Sequence, residues 1–142
     1  MKVDFLNWTF ESDVEATASV YLTIKEGEAE TCPCPWYKHY LKFRNSLYPQ
    51  SVIELFHKLG IDYTKEIDLI DQGVVSPGKR WYETWFDFRG TVVSGPSGWN
   101  SSIDISDDLS ICVVEIEQDR RSHYFDEAKP VTSLHFIIKA PL

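Results

Sequence analysis

Two cysteines one residue apart, each followed by proline, open the stretch CPCPWYKHYLKF at Cys32 and Cys34. A thiol acts as nucleophile or metal ligand in its thiolate form, so its surroundings decide whether it is reactive. If Trp36 opens a helix, Pro35 takes the first helical position, where its missing N–H costs nothing. Cys34 then stands near the N-cap, facing unpaired N–H groups and the positive end of the helix dipole, with Lys38 four residues on. A thiol-redox site at Cys34 and Cys32 is one expectation; two prolines that stiffen a turn, with the thiols as small packing groups, is the plainer one. The metal alternative is zinc, with Cys32, Cys34, His39 and His57 as its four ligands. The C-x-C spacing departs from the common zinc knuckle, and no second cysteine pair follows.

A second chemistry-bearing stretch is WYETWFDFRG. Read as a strand, it places Trp81, Glu83, Trp85, Asp87 and Arg89 on one face and Tyr82, Thr84, Phe86 and Phe88 on the other. A carboxyl group against an indole can have a raised pKa, which makes Glu83 the candidate acid/base of a small hydrolase. Glu83 and Asp87 lie roughly 13 Å apart at strand rise, too far for a glycosidase acid pair. The sequence has no G-x-S-x-G, no H-E-x-x-H and no phosphate-cradling glycine loop. The same strand face, joined by Trp99, Asp104 and Asp107, offers another use. Indoles give anchor contacts and carboxylates steer a basic protein, so a non-enzymatic binding face, as in an inhibitor, is the leading expectation. His123, among Arg120, Arg121 and Tyr124, reads as a loop residue, and His135 as a strand residue with a satisfied ring.

The elements that must position these residues follow from hydrophobic spacing. Residues 2–10 read as a strand, and ASVYLTIK (18–25), rich in β-branched and aromatic residues, reads as a second. Trp36, Tyr40, Phe43 and Leu47 share one helical face, and Tyr48-Pro49 should end that helix. PQSVIELFHKLG gives a second helix, with Gly60 at its C′ position. Strands follow around 66–71, over 80–93, in LSICVVEIEQ and in VTSLHFIIKA, with Pro77-Gly78 as a turn and 103–108 as a short edge strand or loop. The expected fold is α+β: a mostly antiparallel sheet of five to six strands, with one or two helices on one face, in a single domain spanning 1–142.

Composition sets the outer limits. The chain has 142 residues, 43% hydrophobic and 25% charged, with five Trp, seven Tyr and eight Phe. Three cysteines make an odd number, and Cys32 and Cys34 are too close to bridge without strain, so a reducing compartment is expected. The start, MKVDFLNWTFESD, lacks the pattern of a signal peptide, and no apolar run reaches membrane-spanning length; a cytoplasmic location is the expectation. The net charge of −8 is uneven: residues 91–119 carry six acids and no Lys or Arg. That balance disfavours nucleic acid, which needs clustered cations, and suits a basic protein. Nothing in the sequence sets an oligomeric state.

Three pieces in order, CPCPWY, LFHKLGID and WYETWFDFRG, resemble a group of small bacterial domains of uncharacterised function. In that group a Cys-rich entry precedes a helix ending Leu-Gly-Ile-Asp, and an aromatic strand ends in Gly. The resemblance covers about residues 32–90 and implies a bacterial cytoplasmic protein with no stated activity. Tyr37 and His39 stand where another polar or Cys position belongs, a departure that weakens a metal role. In size, acidity and aromatic content the chain also resembles the immunity proteins of bacterial toxin systems.

Overall fold

The computed structural model describes residues 1–117, 120–125 and 129–142. Among these the elements run β1 (Lys2–Phe5), β2 (Trp8–Ser12), α1 (Val14–Thr23), α2 (Pro35–Leu47), α3 (Gln50–Leu59), β3 (Asp68–Ser76), β4 (Lys79–Ser94), β5 (Ile103–Ser106), β6 (Leu109–Glu115) and β7 (Val131–Pro141). The seven strands form one antiparallel sheet in the order β1-β2-β4-β7-β6-β5, with β3 also paired to β4. The fold is therefore α+β, as the spacing predicts.

The long strand β4 organises everything else. β7 runs along it from Lys79 to Arg89. On its other edge β3 pairs with the first half, up to Trp85, and β2 with the end, from Gly90. Alternation then sorts the side chains. Tyr82, Thr84, Phe86 and Phe88 point to the helices and are buried, as are Leu134, Phe136 and Ile138 of β7. At the centre, Tyr48, Phe56, Phe86 and Phe136 place their ring centroids 4.8–6.1 Å apart, mostly edge to face. Each such pair adds about 0.5–1.5 kcal/mol to the burial of the rings. The Tyr48 hydroxyl satisfies its buried polar atom between Tyr40 Oη (2.9 Å) and Thr84 Oγ1 (3.0 Å).

Two expectations fail near the N-terminus. Residues 2–10 do not form one strand but a hairpin, turned at Leu6-Asn7 with Leu6 at φ 50°. A leucine in the left-handed region gives no sequence signal for a turn, because Gly or Asn is the residue that adopts it cheaply. Residues 18–25 are not a strand; most lie in α1. Asp13 caps that helix, its side chain accepting from Ala16 N at 3.0 Å. The helix also answers a need of β4. Between the start of β3, at Asp68, and the end of β2, at Ser12, the β4 edge has no strand partner. There Tyr21 Oη donates to Asp87 O (2.8 Å), Arg89 N donates to Thr17 Oγ1 (3.0 Å) and Asp13 N donates to Arg89 O (2.9 Å). Tertiary demand outweighs the β-propensity of Val, Thr and Tyr.

The other two helices match their spacing. Pro35 is the first residue of α2 and Cys34 its N-cap; Tyr48, preceding a proline, is extended and ends it. α3 closes at Gly60, φ 82°, where Gly60 N donates to His57 O and Ile61 N to Phe56 O, a left-handed cap that favours glycine. LSICVVEIEQ is strand only to Glu115, and its last residue, Gln118, lies outside the described residues. Among the described residues no helix is long and apolar enough to cross a membrane.

Candidate functional site

The face of the sheet opposite α2 and α3 is built in rows across the strands. One row runs Ile70–Glu83–Ile137–Ser110–Asp104, the next Asp68–Trp85–His135–Cys112, and a third Asp87–Ser133–Val114. Trp81 lies opposite Lys139, whose ammonium sits 4.7 Å from the indole. Among the described residues none of the three α-helices lies over these rows. Two segments border part of them: residues 95–102, which bring Trp99, and Ile116 with residues 120–122 after β6.

Trp85 stacks on His135 with ring centroids 4.5 Å apart, and Trp99 meets the same imidazole edge-on at 5.8 Å. The loop carrying Trp99 is tied down by Gly98 N donating to Val113 O and by Cys112 Sγ donating to Gly98 O, both 2.9 Å. Trp99 remains 56% exposed, so an indole is held in place with its outer surface in water. His135 is buried, and burial lowers its pKa while the Glu83 carboxylate, 2.9 Å away, works in the opposite sense. Glu83 is engaged through both oxygens, Oε1 with His135 and Oε2 with Gln72.

Between the two indoles and the loop after β6 lies a crevice of about 400 Å³. Its polar lining includes Asp68, Asp87, Ser122, Ser133 and Arg121. Asp87 differs from the expectation of a rim acid. It is 6% exposed, with Ile116 and residues 120–122 lining the crevice at the end of its row. Burial pushes its carboxyl up to about 6; Asp68 adds to the rise, while Ser133 and Arg121 oppose it. The hydroxyls of Ser133 and Ser122 are buried with no hydrogen-bond partner in bonding geometry. Sequence spacing located Asp87, but not Asp68, Ser122 or Ser133 as its neighbours; the strand register and the loop bring them together.

The other predicted site residues are placed as follows. Asp104 is exposed on β5 in the Glu83 row, and Asp107 is exposed in the turn between β5 and β6. Cys34 and Cys32 are half-buried at the start of α2. The N–H of Tyr37 is the chief influence lowering the Cys34 pKa, with Cys32 and the Trp36 N–H adding and partial burial opposing. His39 does not turn towards the cysteines: its Nδ1 is 2.6 Å from Tyr82 Oη and its Nε2 2.8 Å from Pro141 O. His57 is exposed on the last turn of α3, beside a depression shared with Ala18 and Leu22 of α1. Among the described residues no three His, Cys, Asp or Glu side chains are grouped to hold a metal ion.

A second buried carboxylate escaped the sequence reading. Glu66 has a fully buried side chain, meets Arg44 Nη1 at 3.1 Å, and is pushed up to about 7 by burial, against the pull of Arg44. Arg44 also contacts Glu30 and Thr64 O, so this group pins the 3-10 turn Glu28–Glu30 against α2. Compared with protein-family models, curated proteins and solved structures, the chain matches none.

Proposed function

We propose that the chain is a non-enzymatic binding domain whose helix-free sheet face engages a basic protein, in the manner of an inhibitor or immunity-type protein. One observation carries the reading: an anchored, solvent-facing indole, Trp99, and a half-buried one, Trp85, both pack on His135, on a face rimmed by the exposed acids Asp68 and Asp104. Rigid aromatics supply contact area at little entropic cost, and acids around them attract a positively charged partner. The net charge of −8 favours the same class of partner. A hydrolase centred on Glu83 draws less support, since both of its oxygens are engaged.

The test is site-specific photo-cross-linking in native extract from position 99, with position 36 as control; Trp36 is an exposed indole on α2. The expected result is one discrete basic protein captured from position 99 only, which then binds the unmodified chain when purified. Capture from both positions, or a captured protein that fails to bind when purified, contradicts the proposal.

A thiol function at Cys34 is the second reading, favoured by its lowered pKa at the start of α2. It predicts a mixed disulfide with glutathione at Cys34 in mildly oxidising buffer; an unmodified Cys34 under those conditions removes it.

A further inference from the structure

We infer that the crevice between Trp85 and Trp99 is a binding site for a primary ammonium group, the anchor that a lysine of the basic partner would insert. The inference deepens the binding reading above and rests on it for the source of the lysine.

The geometry supplies what an ammonium needs. It has three donors and no acceptor. The crevice offers the Asp87 carboxylate, the Ser133 hydroxyl that bears on it, and Ser122 Oγ, which is buried and without a hydrogen-bond partner. Buried polar atoms are normally satisfied, so the Ser122 hydroxyl in the same crevice as a buried carboxyl marks a place where a polar partner is missing. The walls suit the remainder of the side chain: two indoles line the crevice and offer apolar surface to a methylene stem. The volume of about 400 Å³ admits an extended alkylammonium together with water.

Among the described residues, charges from several elements bear on Asp87. Asp68 on β3 adds negative charge and favours a cation. Arg121, from the loop after β6, opposes one, and its Nε is turned to its own loop, donating to Ile116 O at 3.2 Å. Arg120 is exposed at the rim. Burial of His135 on β7 lowers its pKa and disfavours a charge there, against the pull of Glu83. From α1, Tyr21 engages only the Asp87 backbone. Ammonium binding should therefore weaken as pH falls through about 6, where Asp87 takes up a proton.

The experiment is calorimetric titration of the intact chain with Nα-acetyl-lysine amide, with its Nε-acetylated form and with 1,4-diaminobutane. A small ligand of this kind should bind with a dissociation constant on the order of 1 mM. The expected result is saturable binding of the lysine amide above neutral pH, at least tenfold weaker for the acetylated form, for Asp87→Asn and for Trp99→Ala. Trp99→Ala guards against misfolding, since that ring is largely in water. Binding of the diamine alone, lost in the same variants, upholds the ammonium site but removes the protein partner as its source. Equal binding of the acetylated form, or no saturable binding by any probe, overturns the inference.

Discussion

The hydroxyl of Tyr21 on α1 donates to the carbonyl oxygen of Asp87 on β4 at 2.8 Å, in the gap between the strands that flank that edge. One residue thus has its backbone held by the helix and its side chain in the crevice on the opposite face. The helix that fills a break in the sheet also sets the floor of the candidate site.

Tyr21→Phe leaves the Asp87 carbonyl without its donor while keeping the ring against Phe125. The expected loss is about 1–2 kcal/mol, read as a lower denaturant midpoint at unchanged slope. An unchanged midpoint would show that water replaces the bond at no cost.

Asp87→Asn tests the buried carboxyl. Its folded pKa of about 6 lies above that of a free carboxyl, so between those values the folded state holds the extra proton. This group therefore contributes full stability at low pH, lost as pH rises through about 6. Relative to the native chain, Asp87→Asn should gain stability with rising pH, levelling above pH 7 at up to about 3 kcal/mol. Glu66, at about 7, follows the same sign and remains in both proteins, so the difference isolates Asp87. A difference that shrinks with pH would contradict this account.

Glu83→Gln removes the anion that supports a proton on His135. The imidazole pKa, already lowered by burial, should fall further, visible as a shifted titration of its carbon-bound protons in NMR. An upward shift would mean that the pair is not formed.

Alkylation of the native chain at neutral pH should modify Cys34 well before Cys112. Cys34 sits at a helix N-terminus with a lowered pKa, while Cys112 is buried with its thiol on Gly98 O. Mass spectrometry of partially alkylated protein reads the order directly, and modification of Cys112 first would contradict it.

These residues also show where sequence pattern stops. α2 and α3 were legible because their apolar residues recur at three and four, and β4 because its aromatics alternate over a long run. α1 was not: its buried Thr17 and Tyr21 are there to bond a strand edge that only the tertiary fold creates. The face shared by Trp81, Glu83 and Trp85 could be read from alternation alone. The burial of Asp87 could not, because it depends on Ile116 and residues 120–122, distant in sequence and without a periodic signal. The Glu66–Arg44 pair was missed for the same reason; a Glu in the polar run TKEID looks like any surface acid.

The central claim is that the Trp99 face meets a basic partner, and the most direct measurement is the affinity of the protein cross-linked from position 99 for purified variants. The account predicts that Trp99→Ala and Asp104→Lys each weaken binding at least tenfold, that Trp36→Ala leaves it unchanged, and that added salt weakens the native complex. Full affinity in Trp99→Ala and Asp104→Lys, or a loss confined to Trp36→Ala, would contradict it.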